Sequence, residues 1–540
     1  MLRAPRPSYG GAVTVAHPTA AELAAADLDV LVVGGGIVGA GVALDAVTRG
    51  LRVALVDAGD WGGGRSGRTS TLVHGGLVDL RRIGVPAVAA LRRERDLLLD
   101  RTAPHLVRRV PLLVPLTGGP VERLVVGAGL SLYDAAAFSI RQPGVLPGHR
   151  QLPRRAVPRL APSIAMAGVT GAVQLYEAQV DDARLTIAVV RTAMAYGTLA
   201  MARTPVRRLV TGGGPTSGPA PDAGGRVTGV ELDDPVRGPV TVRARVVVLA
   251  TGTELSHLLP GAAAALPAPA LSPMAVHLVL PRGRLRASTG LVLREDDRAV
   301  YVVPWGRHWI VGTTAAWSEP DRLLAALNAH LARPIAADAV ESTFAGPAPL
   351  GPDGGRTPTV QVPVPGLVLV RGSGLAGYRG DAERAVDAAV GQIGGLHPPS
   401  TTTRVPLLGA DGFTARWNQR HLLARRAGVH VVVLEHLLQR YGSEVDVLIA
   451  AIRRRPELAR PLPGAADYLG VEVWFGVVHE GATQLRDVLA RRTRIAMETW
   501  DGGAEAAAGV AELMAAELGW DDAERSRQIS SYLRRAAADR

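Results

Sequence analysis

Apolar positions follow three different periods along the chain, and each predicts a different kind of element. Asp29-Val30-Leu31-Val32-Val33, Arg52-Val53-Ala54-Leu55-Val56 and Arg245-Val246-Val247-Val248-Leu249 are short runs that stay apolar on both faces. Such runs predict buried strands of a parallel sheet. The stretch YVVPWGRHWIVGTT (301–314) alternates and carries aromatic residues, which predicts a half-buried antiparallel pair, and RVTGVELDDPVRGPVTVRA reads as a hairpin. From about residue 410 the strand signals fade. There HLLARRAG, VVVLEHLLQRYG and AAAGVAELMAAELGW repeat apolar residues at helical spacing.

These periods divide the 540 residues into parts. Residues 1–27 read as a tail with a short amphipathic piece and no signal-like apolar core. Residues 28–395 form an α/β region with a discontinuous nucleotide-binding domain (about 28–117, 185–260 and 350–395) and an interleaved antiparallel-sheet substrate domain. A linker at 396–409 leads to a helical domain at 410–540. The run Leu28–Val47 is apolar enough to imitate a membrane span, but its glycines form a turn pattern and Asp45 interrupts it.

Composition adds exclusions. Hydrophobic content of 47% with 20% charged residues excludes a mainly disordered chain. The absence of cysteine excludes disulfides, thiolate metal sites and cysteine nucleophiles, and suits the cytosol. All 60 basic residues are arginine and the net charge is +11, which reads mainly as a solvated exterior. With 4% aromatics and no basic–aromatic module, nucleic acid is not an expected partner. The 13 histidines are scattered without ligand spacing, so no metal site is expected.

The chemistry starts at the first apolar run, which ends in GGGIVG. Gly34 permits the tight turn, Gly36 lets backbone approach a pyrophosphate, and Gly39 lets the following helix pack on the strand. That helix turns its free N–H groups toward the phosphates. A second strand ends at Asp57, 21 residues beyond Gly36, where a carboxylate can reach ribose hydroxyls. Strand, glycines, helix, strand and acid in this order predict an adenine-dinucleotide site. The late strand ending Ala250-Thr251-Gly252, returning after a long insertion, favours FAD over NAD.

The segment RTSTLVHGGL (68–77) and several others carry a more specific likeness. With APHLVRRVPLLVPL, GLSLYDAAA, VDDARL, YVVPWGRHWIVGTT, GSGLAGYR and DVLARRTRI, the chain from about residue 27 onward resembles the FAD-dependent, quinone-linked glycerol-3-phosphate dehydrogenases. The resemblance implies an α/β FAD-binding Rossmann-like fold of the D-amino-acid-oxidase-like two-domain type, with a C-terminal α-helical domain. It implies that Thr69, Ser70, His74, Gly75 and Gly76 line the flavin and its pyrophosphate. Ala250, Gly252, Gly372 and Leu375 join the cofactor contacts, with GSGLAGYR (372–379) closing over the ring. His74 and Arg379 are the candidate catalytic residues, Arg379 on the substrate side. The implied reaction takes sn-glycerol 3-phosphate to dihydroxyacetone phosphate. Electrons pass to quinone, in a cytoplasmic protein peripheral on the inner face of the cell membrane.

The chain departs from the family where the phosphate should be gripped. An arginine after His-Gly-Gly-Leu is Val78 and the tyrosine beside it is Asp79. An arginine before Pro-Leu is Ala348, a lysine in the glycine-rich loop is Gly374, a lysine before Leu-x-His-Gly-Gly is Thr71, and an aspartate after Gly-Thr-Thr is Ala315. A buried dianion needs cationic partners, so these losses leave three readings open. They are glycerol 3-phosphate oxidation with a substitute anchor (Arg81, Arg82, Arg307 and His308 being nearby in sequence), oxidation of a less anionic alcohol or amine, and a catalytically silent flavin-binding protein.

Overall fold

A computed structural model describes residues 18–538 except 76–79, 139–144, 213, 216–224, 235–237, 253–257, 259–273, 296–297, 314–316, 348–358 and 373. Helix α1 (Ala20–Ala25) is capped by Thr19, whose hydroxyl accepts the Glu22 N–H at 3.2 Å, and it buries Leu23 in the apolar core. The end of the expected tail is therefore part of the packed layer.

The runs that are apolar on both faces are buried strands, as their pattern requires. β1 (Leu28–Val33) and β2 (Val53–Val56) lie in a parallel sheet. Its order is Leu199–Met201, β2, β1, the C-terminal half of Gly238–Leu249, then Leu367–Arg371. The first half of Gly238–Leu249 turns away to form the expected hairpin with Val227–Asp234. Helix α2 (Ile37–Thr48) follows β1, so the membrane-like run resolves into strand, turn and helix. It is buried on most sides because the helices Asp182–Ala195 and Tyr378–Ile393 pack against it. Asp45, fully buried, is tolerated there because Arg49 pairs with it at 2.6 Å and Ser400 donates to it.

The second sheet is largely antiparallel. Its order is Ser342–Pro347, Met274–Pro281, His308–Thr313, Arg298–Trp305, Gly290–Glu295, Arg108–Leu116, Gly171–Gln179 and β3 (Leu72–Val73). The aromatic pair 298–305 and 308–313 forms the predicted hairpin. One expected boundary moves. Strand Arg108–Leu116, placed with the nucleotide domain from sequence, pairs with Gly171–Gln179 in this second sheet. The second segment of the nucleotide-binding domain, expected from about 185, opens with a helix that begins at Asp182.

Beyond residue 410 the described chain is mainly helical, around two apolar clusters, with a small hairpin at 461–469. It is strapped to the first region by buried ion pairs. Arg184 meets Glu480 at 2.7 Å, Arg191 forks Glu444 at 2.6 and 2.8 Å, and Arg440 meets Asp181 at 3.1 Å. The expected linker is itself a seam, with Val405 and Leu407 buried in the main core.

Two buried histidines give the fold a pH dependence. His277 stacks on Phe344 with ring centroids 4.6 Å apart, and His105 lies beneath Gly409 near Phe413. Burial, then the charge of Arg184, lowers His105 to about 3, and burial lowers His277 to about 4. Both values lie below the unfolded value of about 6.5, so below that pH the unfolded chain binds protons that the folded chain refuses. Stability is expected to fall as pH drops from about 6.5 toward 4, each histidine contributing about 1.4 kcal/mol per pH unit. Denaturant titrations at pH 7 and pH 5 measure this, and the double variant His105→Gln/His277→Gln should flatten the dependence.

Candidate functional site

The glycine turn after β1 is shaped by contacts that exclude a side chain. Gly34 has φ of +111°, and a Cβ there would lie 2.6 Å from the Ala250 carbonyl oxygen. At Gly39 a Cβ would meet the Gly34 carbonyl oxygen at 1.9 Å, so only glycine lets α2 start this close to β1. Gly36 is the N-cap of α2. Asp57, at the end of β2, accepts the N–H groups of Gly35 at 2.5 Å and Gly59 at 2.7 Å, bracing the turn.

The hydroxyl-rich segment reaches the same place by a different residue from those expected. Ser66 Oγ accepts the Ile37 N–H at 2.9 Å, at the first turn of α2. Thr69 instead donates through N–H and Oγ1 to Asp182 Oδ2 at 2.7 and 2.8 Å. Its hydroxyl proton is thus engaged inside the protein. Ser70 is half-buried beside it. Thr71 sits at φ of +62°, unfavourable for a β-branched residue, and Gln179 donates to its hydroxyl at 3.1 Å. His74, half-buried, and Gly75 follow β3, and the Gly75 N–H donates to Glu177 at 3.1 Å. Gly76, Val78, Asp79, Ala315 and Ala348 lie outside the described residues.

The late glycine loop closes on the same corner. A Cβ at Gly372 would strike Val38 in the first turn of α2 at 2.3 Å, and Gly374 has φ of +112°. Leu375 is buried, and Gly377 caps the helix Tyr378–Ile393. Two helix N-termini therefore lie side by side at the carboxyl ends of parallel strands, where α/β sheets bind ligands.

Arg379 does not reach this corner as a free cation. Glu94 holds it through both carboxylate oxygens at 2.7 and 2.6 Å, with Glu383 at 2.9 Å and the Thr402 hydroxyl at 3.2 Å. Its fork is engaged in joining helices. Arg307 is likewise paired, with Asp467 at 2.6 Å, and His308 lies 3.1 Å from Glu341.

The site fits FAD on its own features. The turn has no side chains where a pyrophosphate would lie, and α2 presents its N-terminus. Thr251 Oγ1, beside the turn, is buried with no hydrogen-bond partner among the described residues, and a polar cofactor group would satisfy it. Sequence reasoning named Ala250 and Gly252 but passed over Thr251, and it missed Ser66. Ser66 lies inside a Gly/Ser/Thr-rich run, the only signal that could have pointed to it.

A protein-family model described as FAD dependent oxidoreductase matches residues 29–379. The chain belongs to this family. A second model, the C-terminal domain of alpha-glycerophosphate oxidase, matches residues 400–525. Glycerol-3-phosphate dehydrogenase 2 of Mycobacterium bovis is 37% identical over 96% of this chain and 89% of its own length. The mitochondrial glycerol-3-phosphate dehydrogenase of Arabidopsis thaliana is 30% identical over 94% of this chain and 86% of its own. The crystal structure of the glycerol-3-phosphate dehydrogenase from Bacillus halodurans complexed with FAD is 25% identical, with a TM-score of 0.72 over 94% of both chains. The fold is thus the FAD-binding α/β type with a C-terminal helical domain, and the protein is an FAD-dependent oxidoreductase. Among the described residues, no helix is long and apolar enough to cross a membrane.

Proposed function

We propose that this chain oxidises sn-glycerol 3-phosphate at C2 to dihydroxyacetone phosphate and passes the electrons to a membrane quinone. The observation that carries this reading is likeness over nearly the whole chain, both FAD region and C-terminal domain, to enzymes named for that activity. FAD, when bound, supplies the two-electron acceptor. The chain's own parts bind and orient. Gly34, Gly36, Gly39, Ser66 and Thr251 hold the diphosphate bridge, and Asp57 serves the ribose side. His74 and Gly75 lie on the ring side, with His74 as acceptor of the substrate's hydroxyl proton. Gly372 and Leu375 close the far edge.

A second reading, oxidation of a less anionic alcohol or amine, is favoured by three observations. Arg379 is locked by two glutamates, Gly374 has no side chain, and the Thr71 hydroxyl is engaged by Gln179. Anaerobic mixing of the holoprotein with sn-glycerol 3-phosphate decides between them. Loss of the oxidised flavin band at submillimolar donor is expected. Bleaching by glycerol or amines alone would establish the second reading, and bleaching by dithionite alone would overturn both. Peripheral membrane contact is part of the proposal, and full release from membranes by plain buffer would refute it.

A further inference from the structure

Two sequence motifs far apart in the chain, VDDARL (180–185) and DVLARRTRI (487–495), meet behind the loop 57–71. That loop carries Gly59, Gly62, Gly63, Gly64 and Gly67, so its own backbone offers little stiffness. Its shape is set from outside, by three arginines of the C-terminal domain. Arg491 and Arg492 both donate to the buried Asp60 carboxylate. Arg494 donates to the Gly67 carbonyl at 3.1 Å, to Asp181 at 2.9 Å, and to Asp182 Oδ1.

Each anchor sits one step from a residue that forms the cofactor corner. Asp60 precedes Trp61, whose ring lies against Gly35, where a Cβ would meet it at 2.3 Å. Gly67 follows Ser66, which accepts the Ile37 N–H. Asp182 holds Thr69, whose hydroxyl accepts the Thr71 N–H at 3.0 Å and so supports Thr71 in its left-handed conformation. The arginines are 8%, 0% and 3% exposed, which leaves water little part in these bonds.

We propose that Arg491, Arg492 and Arg494 are positioning residues for the FAD cradle, holding loop 57–71 in its binding shape through Asp60, Gly67 and the Asp182–Thr69 link. The C-terminal domain is then a working part of the cofactor site. A preordered loop spares binding the cost of ordering it. The inference rests on the FAD reading above. Other pairs across the same interface, such as Arg191–Glu444, do not touch the loop and supply an internal control.

The test titrates FAD into full-length apoprotein, with circular dichroism and thermal unfolding of each apoprotein recorded alongside. Arg494→Lys keeps the charge beside Asp181 and Asp182 but loses the fork. It is expected to weaken FAD about tenfold or more, and Arg491→Lys, which leaves Arg492 on Asp60, about threefold. Arg191→Lys should lower apoprotein stability while leaving FAD affinity within about twofold. Because Arg494 and Thr69 act through one carboxylate, Arg494→Lys and Thr69→Val should combine less than additively. FAD affinity unchanged in Arg494→Lys and Arg491→Lys, equal weakening in Arg191→Lys, or additivity in the cycle each overturns the proposal. An unmodified protein that takes up no FAD refutes the FAD reading itself.

Discussion

Gly39→Ala is expected to yield a folded but nearly colourless protein that has lost at least about 100-fold in FAD affinity. The added Cβ would sit 1.9 Å from the Gly34 carbonyl oxygen and 3.2 Å from the Ala250 side chain, and neither neighbour can give way cheaply. The Gly34 oxygen belongs to backbone held by its own bond, the Gly34 N–H donating to the Val56 carbonyl at 2.8 Å. Relief therefore requires α2 to lift from β1, which moves the helix N-terminus away from the phosphates. Overpacking of this kind costs about 3 kcal/mol, and that energy corresponds to roughly 100-fold in binding. Visible flavin absorbance per protein after gel filtration measures the loss. Retention of stoichiometric flavin would show that the turn is not the diphosphate site. Gly391→Ala makes a suitable control, since Gly391 lies within the helix Tyr378–Ile393 and nothing lies within 4 Å of its added Cβ.

Asp60→Ala is expected to destabilise the folded chain by about 3–5 kcal/mol, the usual cost of removing one partner from a buried ion pair. Burial opposes ionisation of this carboxyl, yet Arg492 and Arg491 hold it down to about 2, so it is charged at neutral pH. Its removal leaves two buried guanidinium groups facing each other, with Asp487 on Arg491 at 2.6 Å the nearest remaining anion. Asp60→Asn keeps an acceptor oxygen and should cost less. Denaturant midpoints of the three proteins check the order, and an Asp60→Ala midpoint equal to the unmodified one would refute it. The native carboxyl is depressed below its unfolded value, so its contribution is complete above about pH 4 and is lost as pH falls through about 2.

Elements whose pattern is local were legible in the sequence. β1, the glycine turn, α2 and Asp57 follow from apolar period and glycine spacing, and the hairpin at 298–313 follows from alternation. The strand Arg108–Leu116 was misplaced because its apolar pattern does not say which of two sheets it joins. The partners of Arg379 were illegible for a related reason. Its motif position suggested an anchor, but Glu94 lies 285 residues away and no local pattern announces the pair.

The sequence alone determined a dinucleotide turn, the order of its strands and the likeness that named its cofactor. Spacing of a few residues encodes each of these, through strand and helix periods and the steric freedom of glycine. Only the tertiary structure decided which side chains shape the cradle. Ser66 reaches Ile37, Asp182 takes Thr69, and Arg491, Arg492 and Arg494 arrive from more than 400 residues downstream of the loop. Hydrogen bonds and ion pairs act over about 3 Å in space. Their partners are chosen by how the domains pack, and that choice leaves no periodic trace along the chain.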